Sequence, residues 1–288
     1  MDNKEIKQIF KEAYNNFDNR PLSGETLKRF YIDDFTKDSV ESIKTTIEMS
    51  EQYRKMLVIG HRGCGKSTIL NKVVEELNDD FYIVSFSAGD TLNMNDVETI
   101  DILISIYLKL LEKMDEDGIS KVFDRFDEIM KSVKEKFKLE AVGINLAKTL
   151  TFKIRVENES REVLRQEFKN KIEVLNQGIS ECINSINNHY NKNKNKSEKE
   201  VLIVIDDLDK LPPEFAEQLF FKDVDLLLMP EAKIVYTFPL ETYYCEKFNI
   251  IKDRYEDKFI SLVVVDEEKN SNVGVEQLKK VILERIDS

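Results

Sequence analysis

Residues Gly60 to Thr68 read Gly-His-Arg-Gly-Cys-Gly-Lys-Ser-Thr and follow directly on the apolar run Met56-Leu57-Val58-Ile59. A helix-like stretch, Ile69 to Leu77, comes next. The pattern G-x4-G-K-[ST] between a strand and a helix is the spelling of a phosphate-binding loop. Backbone N–H groups must turn inward around a phosphate, so glycine is needed where a Cβ would block the approach; Gly60, Gly63 and Gly65 meet that need. Lys66 then offers an ammonium to the β- and γ-phosphate oxygens, Ser67 a hydroxyl to Mg²⁺, and the helix start its positive dipole end. The expected cradle is Gly60, His61, Arg62, Gly63, Cys64, Gly65, Lys66, Ser67 and Thr68. A glycine-rich turn without a ligand is the plain alternative.

The rest of the chain has the rhythm such a loop requires. Strand-like runs fall at Lys55–Ile59, Tyr82–Phe86, Val201–Ile205, Lys233–Thr237 and Ser261–Val265, mostly as continuous apolar stretches. Continuous runs suit strands covered on both faces, as in a parallel sheet. Helical patterns separate them at Val97–Met114, Ile119–Val133, Arg161–Tyr190, Pro213–Leu228 and Val275–Ile286. Strand and helix in alternation predict an α/β fold, a three-layer sandwich around a mainly parallel sheet. Residues 1–50 read as a polar helical lead-in, with Asp38-Ser39 capping a helix through Ile43 and Ile47. Residues 51–288 read as the core, with an insertion at 115–200. Within it, Leu139–Glu157 alternates apolar Val142, Ile144, Leu146, Leu150, Phe152, Ile154 and Val156 with polar or small residues, the pattern of a β-hairpin. Asn191–Ser197 reads as an exposed connector.

A second constellation ends the third apolar run: Val201-Leu-Ile-Val-Ile205 passes straight into Asp206-Asp207-Leu208-Asp209-Lys210. Beside a phosphate loop, the first acid at such a strand end holds Mg²⁺ through its water shell, and the next orients or deprotonates the attacking water. Asp206 is therefore expected at magnesium and Asp207 at the water. The competing reading is an acidic strand-to-helix turn with capping carboxylates, which explains Asp209 equally well. The stretch between Lys66 and Asp206 does not weaken the pairing, because a sheet brings distant strand ends together.

Composition limits the other possibilities. With 288 residues and 41% hydrophobic content the chain can bury a full core in one or two domains. A net charge of −12 opposes broad attraction to nucleic acid or anionic lipid, so nucleic-acid contact is possible but not indicated. Cys64, Cys182 and Cys245 show no paired metal-ligand spacing, and the acidic amino terminus is unlike a signal peptide. These features, with no apolar run of membrane-spanning length, predict a soluble cytoplasmic protein. His61 and His189 read as loop and cap residues, and the charges on Arg161–Lys171 as a solvated helical face.

The spelling of the acidic strand, together with Gly60–Thr68, resembles the AAA+/STAND superfamily of P-loop ATPases, with KAP-like and origin-recognition-like members nearest in character. The resemblance implies ATP and Mg²⁺ as ligands. It also implies a lead-in beside adenine, where Phe17–Leu22 and Phe30-Tyr31-Ile32 fall; a core contact for Phe30 and Tyr31 is the alternative. Thr237, on Lys233–Pro239, matches the sensor-1 residue that watches the γ-phosphate, and joins Lys66 and Asp207 as expected catalytic residues. Phe238-Pro239 stand where many STAND members carry an arginine, and Lys210 stands where KAP relatives tend to carry one; lysine supplies charge without a bidentate fork. The family's helical lid has no counterpart here, which predicts slow turnover.

The function expected from this resemblance is an ATP-hydrolysing molecular switch in defence, signalling or DNA transactions, working with a protein partner or by self-association. An ATP-binding assembly module with little hydrolysis is the second reading. A small-molecule kinase lacks a recognisable phosphoacceptor lid, and a DNA-loading ATPase would need a basic surface or winged helix. Guanine reading is disfavoured because Asn191-Lys192-Asn193-Lys194 lacks the necessary aspartate.

Overall fold

A computed structural model describes residues 3–50, 53–119, 131–133, 135–138, 143–191, 199–260 and 273–287. The chain divides into two compact units. One comprises Met1–Glu48, Gly60–Glu76 and Phe259–Ser288; the other comprises Met49–Ile59 and Leu77–Lys258. The main strands are β1 (Lys55–Gly60), β2 (Phe81–Ser87), β3 (Glu200–Asp206), β4 (Lys233–Phe238) and β5 (Glu256–Ile260). The main helices, in chain order, are α1 (Asn3–Asn16), α2 (Gly24–Phe30), α3 (Lys37–Met49), α4 (Lys66–Leu77), α5 (Thr99–Glu116), α6 (Gly143–Val156), α7 (Asn158–Lys169), α8 (Ile172–Asn191) and α9 (Val273–Asp287).

Among the described residues the strands form one sheet in the order β2-β3-β4-β1-β5. The pairs β2–β3, β3–β4 and β4–β1 are all parallel. Every residue of β1 and β4 is buried, which explains the uninterrupted apolar spelling: both faces are covered, so no polar alternation is needed. The expected strands 55–59, 82–86, 201–205 and 233–237 lie inside β1 to β4. The expected strand at 261–265 lies outside the described residues, and β5 ends just before it.

Helix α5 is apolar nearly all round, with Ile102, Leu103, Ile106, Leu110 and Met114 all buried. It packs against β2 and against α6 and α8, so water meets little of its surface. Its partner α6 corrects the sequence reading. Residues 143–156 form a helix, not an arm of a β-hairpin; residues 139–142 lie outside the described residues. Leu146, Leu150 and Ile154 are buried at a spacing of four, while Phe152 and Val156 are exposed. The helical period therefore selects the core face, and the period-two alternation was coincidental.

The helix expected over Arg161–Tyr190 is two helices, α7 and α8, separated at Asn170-Lys171. The expected helix at 213–228 is interrupted by a π turn over Gln218–Lys222. Most of the expected helix at 119–133 and of the connector at 191–197 lies outside the described residues.

The first unit contains α1, α2, α9 and nearly all of α3 and α4. Val40, Ile43 and Ile47 of α3 are buried, as the helix expected there requires, but it begins at Lys37, so Asp38 and Ser39 lie within its first turn and not at its cap. Lys44 of α3 pairs with Glu76 of α4 at 3.2 Å. Asn16 at the end of α1 donates to the Arg285 carbonyl of α9 at 2.9 Å, and the Arg285 guanidinium lies over the rings of Phe17 and Phe30.

Candidate functional site

In the first unit the loop after Ile59 takes up conformations that other residues would resist. Gly63 and Gly65 have φ of +82° and +90°, in the left-handed region where a Cβ is costly. At Gly60 the restriction is space: a Cβ there would lie 2.8 Å from both Cys64 Sγ and the Ile260 carbonyl oxygen. Lys66, the first residue of α4, is buried, and its Nζ donates to the carbonyls of Gly60 at 2.9 Å and His61 at 2.8 Å. The ammonium is thus folded back over the loop that precedes it. Ser67 and Cys64 are half-buried, while His61 and Arg62 are exposed.

Thr68 faces the lead-in. Its Oγ1 accepts from the Leu22 amide at 3.1 Å, and Asn71, one turn along α4, donates from Nδ2 to the Leu22 carbonyl at 2.8 Å. Both backbone groups of Leu22 are therefore held by the helix that follows the loop, a tie that sequence reading missed at Asn71. Phe30 is buried, and Tyr31 lies under the Lys72 ammonium with its hydroxyl 2.6 Å from Thr36 Oγ1.

In the second unit, register aligns the strand ends. Ser87 of β2 lies opposite Asp206 of β3; Ile205 lies opposite Tyr236 of β4, one residue before Asp206 and Thr237; and Thr237 lies opposite Val58 of β1. Asp206 Oδ1 accepts from the Asp207 amide at 2.7 Å. Asp207 then turns into the left-handed region at φ +68°, uncommon for a residue with a side chain. Its Oδ2 accepts from Ser87 Oγ at 2.6 Å, and its Oδ1 pairs with Lys210 Nζ at 2.5 Å. That contact with Asp207 holds the Lys210 ammonium above its ordinary range, against the opposing effect of burial. Thr237 is fully buried and its Oγ1 accepts from the Asp209 amide at 3.4 Å. Carboxylate oxygens of Asp206, Asp207 and Asp209 lie within 4.8 Å of one another.

The donor sets fit the ligands that the sequence implies. The loop is bare of Cβ atoms where a phosphate would need backbone, and the acids form an all-oxygen cluster of the kind hard divalent cations select. A recess lined by Tyr53, Ile183, Asn187, Glu200, Val201 and Lys233 sits at the opposite ends of β3 and β4, and has no part in this chemistry.

Ser87 and Gly89 were not anticipated. Ser87 ends an apolar strand, and a Cβ on Gly89 would stand 3.3 Å from Asp207 Oδ2, so the carboxylate packs against bare backbone. The signal was available in Ser87-Ala88-Gly89 directly after a buried strand, but only register shows that this strand end neighbours Asp206. The solvated face expected over Arg161–Lys171 holds for Glu162, Lys169 and Lys171, which are exposed, but not for the arginines: Arg161 and Arg165 are 1% and 2% exposed. Their burial is compensated by acids of the segment that leads into α5 and of the first turn of α5 itself. Arg161 donates from Nε to Asp96 Oδ2 at 2.9 Å, and Arg165 donates from Nη2 to Asp101 Oδ2 at 2.6 Å.

A family model for the KAP family P-loop domain matches residues 38–272, and the chain belongs to that family of P-loop NTPases. A comparison with curated proteins finds no match. Among the described residues no helix is long and apolar enough to cross a membrane.

Proposed function

We propose that this KAP-family chain binds Mg-ATP and hydrolyses it, with the nucleotide state acting as a molecular switch. The supporting observation is the lateral register of the parallel strand ends, which sets Ser87, Asp206, Thr237 and Val58 side by side at one edge of the sheet. Gly60, where the glycine loop begins, follows Val58 by two residues in the chain. Ligands of open α/β sheets bind beyond the carboxyl ends of the strands.

In this reading Gly60 to Thr68 surround the phosphates and Lys66 exchanges its two carbonyl partners for phosphate oxygens. Ser67 and Asp206 hold Mg²⁺, which neutralises charge on the β- and γ-phosphates when bound. Asp207 orients a water and takes its proton as the water oxygen attacks the γ-phosphorus; the bond to the bridging oxygen breaks and ADP leaves with the electron pair. Thr237 lies at the level of Asp206, where a hydroxyl can respond to the γ-phosphate. The AAA+/STAND resemblance adds the expectation of a protein partner or self-association, and of a role in defence, signalling or DNA transactions.

One observation favours the second reading, an ATP-binding assembly module with little hydrolysis. Both oxygens of Asp207 already accept hydrogen bonds, which leaves the base partly engaged.

A melting scan with Mg-ATP, with Mg-GTP and without ligand, on wild type and Lys66→Ala, tests binding. Ligand at about a hundred times its dissociation constant adds about 2.7 kcal/mol of stability, which is readily seen as a shift in Tm. The expected result is a shift with Mg-ATP in wild type that Lys66→Ala loses. Phosphate release that Asp207→Asn abolishes while keeping the ATP shift supports the switch. Binding with no release from wild type supports the module, and no shift with either nucleotide refutes both.

A further inference from the structure

We propose that Lys210 is a positioning residue for Asp207, and that with Ser87 it clamps the carboxylate in the one orientation from which it can direct a water. This deepens the proposed hydrolysis and rests on it. The contacts give each carboxylate oxygen its own donor from a different element: Ser87 from the end of β2, and Lys210 from the turn after β3. Each oxygen has two acceptor directions, so the clamp occupies one per oxygen and leaves one per oxygen for water.

The backbone supplies the reason a clamp is needed. A residue leaving a strand in the extended region would send its side chain along the pleat. The left-handed turn at Asp207 instead redirects the side chain toward β2 and the following turn. Such a conformation is strained for a residue with a side chain and persists where the surroundings over-determine it. Ser87, Lys210 and the bare backbone of Gly89 are those surroundings. Asp206 needs no equivalent, since one of its oxygens is already fixed by the Asp207 amide.

Lys210 makes its direct pair with the Asp207 carboxylate, and its charge also acts on Asp206 and Asp209, so its loss should fall mainly on the rate and much less on affinity. A water displaced by about 1 Å from its productive position can reduce a rate by about a hundredfold, and partial loss of the clamp should fall short of that. For Lys210→Met the expected result is a fall in kcat of about tenfold, with the Kd for Mg-ATP changed by less than about threefold. Lys210→Arg, which keeps the charge and a donor, should retain more of the rate than Lys210→Met. Lys210→Met added to Asp207→Asn should remove nothing further.

The nucleotide-free protein gives a separate reading: Lys210→Met should lower the urea midpoint of wild type and leave that of Asp207→Asn almost unmoved. The proposal is overturned if Lys210→Met raises kcat or leaves it unchanged, if it weakens nucleotide binding with kcat intact, or if its effects persist undiminished beside Asp207→Asn. Absence of phosphate release from wild type removes the hydrolytic reading itself, and the catalytic role of Lys210 with it. The urea cycle would still report whether Lys210 and Asp207 are coupled.

Discussion

Replacing Arg165 by methionine should be among the most damaging single changes in the second unit, and the damage should depend on pH. Arg165 is 2% exposed and reaches four acids. Three of them, Asp96, Glu98 and Glu162, have side chains exposed by a third or more and can turn to water. Asp101 cannot, because its side chain is 2% exposed. Its carboxylate receives Arg165 Nε at 3.1 Å and Nη2 at 2.6 Å, and one oxygen also caps the start of α5 by accepting from the Glu98 amide at 2.9 Å. Removing one partner of a buried pair leaves an uncompensated charge and costs about 3–5 kcal/mol. Burial already holds the Asp101 carboxyl above its ordinary range, against the pull of Arg165, and without Arg165 it should rise further. A folded pKa above the unfolded one means that the native state keeps a proton the unfolded chain releases. Stability contributed by that proton is present at low pH and lost as pH rises through the folded value. The deficit of Arg165→Met should therefore be largest at pH 8 and shrink toward pH 5. Urea unfolding followed by circular dichroism at both pH values gives the numbers. Adding Asp101→Asn should recover part of the loss, since the amide can still cap α5 without a charge. A deficit below about 1 kcal/mol, the same at both pH values and not relieved by Asp101→Asn, would show that this network holds nothing in place.

Three further changes probe burial elsewhere in the second unit. Lys55 is buried with Nζ donating to the carbonyls of Tyr53, Pro230 and Ala232, and burial pushes its ammonium from 10.5 down to about 8. Between about pH 8 and 10.5 the unfolded chain holds a proton that the native state lacks, so wild-type stability should rise there relative to Lys55→Met, by at most about 3 kcal/mol. Urea titrations of both proteins at pH 7.5 and 10 check this, and parallel profiles would contradict it. Leu150→Ala should cost about 2–5 kcal/mol, whereas Phe152→Ser should stay within about 0.5 kcal/mol. Equal losses in urea midpoint would return residues 143–156 to a strand reading, in which both side chains share a face.

What could be read from sequence was what is local. The glycine loop, the acids after Ile205 and four strands are short windows whose chemistry and period-free apolar spelling need no distant partner. Residues 143–156 failed because Leu146, Leu150 and Ile154 satisfy both a period of two and a spacing of four. Only the packing face of α5 decides between them. Arg161 and Arg165 failed for a different reason. Their spelling on a polar helix is that of a solvated face, and the acids that make their burial tolerable lie 64 to 69 residues upstream. Ser87 carried a weak signal, since its meaning depends on the β2–β3 register and on the turn at Asp207.

The last two of these meet in one stretch of chain. Ser87 fixes one oxygen of Asp207 and also caps the short helix Ala88–Thr91, accepting from the Asp90 amide at 3.3 Å. That turn runs on through Asp96 and Glu98 into α5, where Arg161 and Arg165 of α7 hold it from the other side. Residues 87–101 are therefore pinned at one end to the candidate hydrolytic acid and at the other to α7. Burying two arginines gives a weak net contribution to stability, because desolvation offsets most of the attraction. Their geometric effect is larger: a segment tied by multidentate ion pairs has little freedom to let Ser87 drift from Asp207. Helix α7 thus bears on the orientation of the acid through a continuous run of backbone, from Asp96 and Glu98 back to Ser87.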